Sequence, residues 1–428
     1  MKALYLANMP TVSLLQNRRY NTLFLLILAG EVIFFLPFVI ARLFRPTLLE
    51  VFQIDNIQLG SFFSIYGILA VFSYFFGGPL ADKYPAKNLI SIALVATGIG
   101  GLLMAQIPPL WVMNLLYAYW GITTIFLFWA PLIRATREWG GHDQQGHAFG
   151  ILDGGRAFVA ASMGTVAISL LNFVASGSVD STAISSKAFS NLLYVVSAIT
   201  MGTGLLCWIK LPKTEAGAEK PESIKPELIG KIARMKKVRY LALIIICAYI
   251  GYKTTDDFSL YAHEILGFDE IDAAKVGTIS LWTRVIIAVM AGILADTFNP
   301  QKIIHYGFLL MLGSSLIIGS GLLPEGALFL PLLNLVICSI GVYTLRSLYF
   351  TLIEEGQIPI LYTGTVVGLI SVIGYTPDIF MGPLMGYFLE KFDSPLNHQF
   401  VFLFLSLASI IGWWASWQYE KLNSKDEK

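Results

Sequence analysis

The feature that most constrains this chain is a recurring run of about 20 apolar residues, the length of helix that crosses the hydrocarbon layer of a bilayer. Such runs begin near Thr22, Ile57, Leu89, Leu110, Ala148 and Phe189, and again near Tyr240, Ala273, Ile303, Ala327, Thr363 and Phe400. Lipid offers no hydrogen-bond partner to an exposed backbone, so runs of this length fold as helices. The expected fold is an all-α membrane protein with about twelve transmembrane helices. Composition agrees with that reading: 56% of the 428 residues are hydrophobic and 13% are charged, half the charge of an average soluble domain.

Several function classes are excluded on the same grounds. Lys+Arg 29 against Asp+Glu 28 gives a net charge of +1, without the concentrated basic face that nucleic acid requires. Cys207, Cys247 and Cys338 lie inside apolar runs and cannot build a disulfide framework. The five histidines, His142 and His147 among them, are scattered without metal-ligand spacing. There is no P-loop, no H-E-x-x-H and no nucleophile–base constellation, so neither ATP-driven transport nor an enzyme is expected, and no cofactor.

Orientation follows from the bias of Lys and Arg towards cytoplasmic loops. Arg18, Arg19, Lys83, Lys87, Arg134, Arg137 and the cluster from Lys210 to Arg239 fall on one side, while Glu264, Asp269, Glu270 and Asp272 fall on the other. Both termini are therefore expected in the cytoplasm, in a bacterial inner membrane. The polar stretch 212–238 reads as a cytoplasmic linker between an N-terminal bundle (1–211) and a C-terminal bundle (239–428). The segment before Thr22, with Arg18 and Arg19, is not expected to be a cleavable signal, because no short apolar stretch with a small-residue cleavage site follows it.

Gly78-Pro79-Leu80-Ala81-Asp82-Lys83 recurs as Gly292-Ile293-Leu294-Ala295-Asp296, with the aspartates 214 positions apart, half the chain. Each copy ends the second span of its half. Internal duplication of this kind is how carriers build two bundles around a central site. With its base, the repeated G-x-L-A-D loop resembles the signature of the major facilitator superfamily, which implies two six-helix bundles, a small-molecule substrate and a monomer in the bilayer. Asp82, Lys83 and Asp296 are then gate charges, with Arg134 and Arg137 as partners of the first copy.

Ionised side chains deep in a membrane cost at least about 2.5–3.5 kcal/mol and usually line a cavity or pair with one another. Glu31 lies about 16 Å along the first span, near mid-depth. Asp153 and Arg156 share one face of the fifth span. Lys253, Asp256 and Asp257 lie in the seventh, Arg284 midway along the eighth, and Asp378 after Pro377 in the eleventh. Arg42 and Arg45 can face the cavity or snorkel to the periplasmic interface. Arg346 and the Glu354–Glu355 pair are expected near the cytoplasmic end of the tenth span, as gate charges. The tryptophans, including Trp120, Trp129, Trp282, Trp413 and Trp414, are expected mostly at interfaces or towards lipid. Tyr66, Tyr249 and Tyr375 can reach the cavity.

Two closer resemblances bear on the substrate. Phe128-Trp129-Ala130-Pro131-Leu132-Ile133-Arg134-Ala135-Thr136-Arg137 and Gly374-Tyr375-Thr376-Pro377-Asp378 are similar to YihN-like bacterial facilitators. More loosely, Arg42, Lys253 with Asp257-Phe258-Ser259, and Leu152-Asp153-Gly154-Gly155-Arg156 resemble the organophosphate:phosphate antiporter pattern, which implies recognition of an anion. The resulting expectation is a secondary carrier of a small organic anion, phosphorylated, carboxylated or sulfonated, driven by protons or a counter-anion. Arg42, Arg156, Lys253 and Arg284 are expected to bind it. Asp153, Asp256 and Asp257 hold those bases when the site is empty, Asp378 joins the ion pairs, and Glu31 is the candidate for proton coupling. The alternatives are a proton-driven exporter of cationic or amphipathic compounds, which needs an acidic or apolar cavity, and a transporter-like ligand sensor.

Overall fold

The computed structural model describes residues 9–140, 145–175, 184, 186–212, 234–324, 326–349, 351–352 and 372–426. Among the described residues every regular element is helical. Eleven helices are long and apolar enough to cross a membrane. In the first half these lie in α1 (Tyr20–Leu43), α2 (Asn56–Lys83), α3 (Ala86–Met104), α4 (Leu110–Gly140), α5 (Gln145–Ala175) and α6 (Ser186–Lys210). In the second they lie in α7 (Lys236–Glu264), α8 (Glu270–Thr297), α9 (Pro300–Gly319), α10 (Phe329–Leu348) and, after the shorter α11 (Pro377–Lys391), α12 (Leu396–Asp426). The expected start of the eleventh span near Thr363 lies outside the described residues, as do 213–233, His142, Glu354 and Glu355.

Local sequence explains where the helices start. Asp55 accepts from the Gln58 backbone at 2.6 Å while Gln58 Oε1 accepts from the Asp55 N–H at 3.1 Å, a reciprocal cap on α2. Asp269 caps α8 through the Asp272 N–H at 2.7 Å. Asn299 caps α9, whose first residue is Pro300, where a missing N–H is harmless.

Each half packs its own apolar core. One cluster runs from Val238 to Tyr419, wholly within the second half. Two others draw on the first half, joined by the buried Ala274 and Leu281 of α8 and by Ile271, Trp282 and Val285 packed against them. The halves meet most extensively along α2–α11 and α5–α8. On the first of these seams the backbones nearly touch, because a Cβ on Gly60 would collide with the Gly382 carbonyl and one on Gly386 with that of Asn56.

Three helices depart from α geometry beside charged residues. Residues Phe35–Val39, containing Pro37, form a wide π turn between Glu31 and Arg42, and Ile122–Trp129 form another in α4. Proline supplies no N–H for the regular ladder, and π turns concentrate at functional sites. In α7 the turn tightens to 3-10 at Thr255–Asp257, which sends Asp256 and Asp257 in different directions.

Candidate functional site

The charged residues buried between the halves form two connected groups. The first lies at the end of the molecule that carries Asp55, Glu270 and Glu390. Arg42 Nε donates to Asp256 Oδ1 at 2.5 Å, and its Nη1 donates to the Tyr252 hydroxyl at 3.0 Å. Arg42 and Asp256 are themselves 214 positions apart, the offset of the repeat. Equivalent residues of two repeats touch only near the axis that relates them, so this pair sits at the centre of the seam. Lys253 Nζ shares Asp256 at 3.1 Å and lies 3.5 Å from Asp378, over the rings of Phe38 and Phe63.

Further hydrogen bonds close the same end. Arg45 donates to Asn56 Oδ1 at 2.9 Å and to the Asp256 carbonyl at 3.3 Å. The side-chain and backbone N–H groups of Asn56 donate to Glu390 at 2.8 and 2.7 Å. Thr47 donates to Glu270, and Ser259 to the Arg42 carbonyl at 2.8 Å. A crevice of about 10 Å³ remains between Arg45, Gly60, Phe63, Lys253, Asp256, Gly382 and Met385, space for about one water. This end is sealed.

The second group lies deeper. Arg156 on α5 donates to the Gly30 carbonyl at 2.9 Å and lies 3.2 Å from Glu31. Arg284, which has no acid near it on α8, finds two in the other half: Asp153 at 3.3 Å and Glu31 at 3.6 Å. Asp153 also lies 3.9 Å from Arg156. Two carboxylates are thus shared by two guanidiniums. The Asp153 side chain is 41% exposed while those of Arg284 and Glu31 are 4% and 5%, so Asp153 is the accessible member of the group. The rings of Phe34 and Trp129 flank the Arg156 guanidinium.

Several expectations need correction. Of the two orientations open to Arg42 and Arg45, both take the inward one and are buried in the seam, where Asp256 and Asn56 offer them partners. Asp257 holds none of the expected bases: the 3-10 turn aims it at His398 Nδ1, 2.8 Å away, with Glu264 3.0 Å from the other ring nitrogen. Arg346 does lie in the last turn of α10, and its guanidinium carbon is 3.8 Å from the centre of the Tyr252 ring. Tyr66 is bonded to Thr124 at 2.6 Å, whereas Tyr249 donates to Asp378 and stacks near Tyr375. Trp120 is fully buried, its N–H given to the Thr97 carbonyl at 3.1 Å, and Trp129 packs inward on Phe34, whereas Trp282 lies against the exposed Phe158.

At the opposite end, Arg134 donates to the Ala81 carbonyl at 2.6 Å and to Glu138 at 2.8 Å, Arg137 is exposed, and Lys83 lies over Tyr84. The side chains of Asp82 and Asp296 lie outside the described residues. Sequence reasoning missed Tyr252, His398, Asn56, Glu270 and Glu390. Extending the 214-residue offset beyond the repeated loop would have paired Arg42 with Asp256 and aligned Asn56 with Glu270; nothing near His398 announces its acids.

No three His, Cys, Asp or Glu side chains among the described residues are arranged to hold a metal. The arrangement instead places ion pairs between the halves, Arg42 with Asp256 and Arg284 with Glu31 and Asp153.

Known proteins share this plan. The sequence profile of the Major Facilitator Superfamily matches residues 26–375. The inner membrane protein YqcE of Escherichia coli (strain K12) is 27% identical over 382 residues, 86% of this chain and 87% of that protein. The inner membrane protein YihN of the same strain is 24% identical over 402 residues, 91% and 92% of the two chains. A probable nitrate/nitrite antiporter, NarK1 of Thermus thermophilus, is 23% identical over 363 residues, 78% and 77%. In three dimensions, a bacterial homologue of the human lysosomal transporter Spinster, inward-facing and unoccupied, superposes with a TM-score of 0.73 at 16% identity, covering 95% of this chain and 98% of that one.

Proposed function

The chain belongs to the Major Facilitator Superfamily, and from that premise we propose that this transporter carries a small organic anion across the inner membrane by alternating access. The observation that carries the reading is the charge balance of the interior. Arg42, Arg156, Lys253, Arg284 and Arg346 stand with Glu31, Asp153, Asp256 and Asp378, five bases to four acids, once Arg45, Asp257 and Glu270, held by Asn56, His398 and Thr47, are set apart. A buried excess cation is costly and attracts a negative ligand. An exporter of cations would need the opposite excess. The relative named as a probable nitrate/nitrite antiporter is in keeping with an anion.

In this account the anion enters past the water-exposed Asp153 and competes with it for Arg156 and Arg284. The displaced pairing frees Glu31 to take a proton, or leaves the site to be reset by a second anion, giving symport or exchange. With both termini in the cytoplasm, the sealed end is periplasmic and the substrate path opens inward. The bundles 1–211 and 239–428, joined by 212–238, then rock apart at the Arg42–Asp256 seam. Asp82, Lys83, Arg134, Arg137 and Asp296 close the cytoplasmic end in return.

The test is a thermal-shift screen of the purified protein with glycerol 3-phosphate, gluconate, isethionate and nitrate, against choline and tetraphenylphosphonium. A ligand at 100 times its Kd stabilises by about 2.7 kcal/mol. A shift with at least one anion and none with the cations is expected; a shift with the cations alone would overturn the proposal.

A further inference from the structure

Four of the five interior bases have a carboxylate within 4 Å. Arg346 has none among the described residues. Its guanidinium carbon lies 3.8 Å from the centre of the Tyr252 ring and 5.7 Å from that of Tyr249, and its Nη1 is buried without a hydrogen-bond partner. Arg284 shows the same deficiency at one atom: Nη1 and Nη2 face Glu31 and Asp153, but Nε is buried and unpartnered. The two guanidiniums are near enough to repel one another, and Asp153 attracts both.

A buried donor left without a partner destabilises a fold, most of all when it is charged. Two such donors on neighbouring cations are therefore not explained by packing. They match the requirements of a ligand that brings two or more negatively charged oxygens, since a planar guanidinium binds phosphate, sulfonate or carboxylate through a fork of N–H groups. The face of Tyr252 holds Arg346 in place for that contact while the ligand is absent.

We propose that Arg346 and Arg284 form the docking pair for the anionic group of the substrate, with Arg346 as the anchor. The proposal deepens the anion-carrier reading above and rests on it. It also connects docking to the seam. The Tyr252 ring lies 4.4 Å from the guanidinium carbon of Arg42, and its hydroxyl accepts from Arg42 Nη1. An anion that draws Arg346 off the Tyr252 ring loosens the packing of Arg42 against the same ring.

The test measures melting of full-length wild type, Arg346→Gln, Arg346→Lys and Arg284→Gln, each alone and with glycerol 3-phosphate, gluconate, isethionate or nitrate. Arg346→Gln strands no carboxylate, so without anion it melts no lower than wild type; Arg284→Gln leaves Glu31 and Asp153 short of a partner and melts lower. An anion that shifts the wild type binds Arg346→Gln at least tenfold more weakly, and Arg346→Lys recovers part of the loss. If Arg346→Gln melts well below wild type without anion, its role is structural and the docking pair is overturned. If it binds the anion as wild type does, the docking pair is overturned and the anion-carrier reading stands. If no anion in the set shifts the wild type, both fall.

Discussion

Asp256→Asn and Arg42→Gln remove the two partners of the central seam pair, yet their effects are expected to differ. Asp256→Asn leaves Arg42 buried, with the Tyr252 hydroxyl as its remaining partner and no carboxylate. Arg42→Gln leaves Asp256 still paired with Lys253 at 3.1 Å. Breaking a buried pair so that one charge is uncompensated costs about 3–5 kcal/mol. That penalty falls on the sealed conformation, because water solvates the charge once the seam opens. A shift of this size changes the ratio of sealed to open molecules by about 10²- to 10⁴-fold. The assay is the rate at which a membrane-impermeant maleimide labels Thr47→Cys, whose site lies at the seam. The native cysteines are all buried and give a low background. Labelling is expected to be slow in wild type, faster in Arg42→Gln and fastest in Asp256→Asn. Equal rates in the two variants, or no acceleration in either, would refute the reasoning.

Other expectations follow from single contacts. Gly60→Val pushes α2 and α11 apart where a Cβ meets the Gly382 carbonyl, so it should accelerate the same labelling, and an unchanged rate would count against close packing there. His398→Ala leaves Asp257 fully buried with neither oxygen bonded, a loss of about 3–5 kcal/mol that should appear as a lower melting temperature. Glu31→Gln should abolish uptake driven by a pH gradient in proteoliposomes while anion exchange persists; unchanged gradient-driven uptake would remove Glu31 from coupling. A fluorescent reporter fused to the C-terminus should be active and an alkaline phosphatase fusion inactive, the reverse pattern contradicting a cytoplasmic terminus.

The spans, the repeat and the buried charges were legible because a bilayer enforces them segment by segment: each helix must satisfy its own backbone and hide its own charge. Partners were less legible, since they come from other helices. Arg284 has no acid on α8 but meets Asp153 across 131 positions, and His398 meets Asp257 across 141. Trp120 was misread because rules about aromatic belts address residue type, whereas its burial follows from an N–H that finds the Thr97 carbonyl. Arg346 was legible as a charge near the end of the tenth span, but its place over the Tyr252 ring was not, since that ring belongs to another helix.

The most direct test of the central claim is uptake by the purified protein in proteoliposomes, offered radiolabelled glycerol 3-phosphate, gluconate and nitrate in parallel with radiolabelled choline and tetraphenylphosphonium. Uptake of at least one anion, lost in Arg284→Gln, is the predicted result. Movement of the cations with none of the anions would contradict the account.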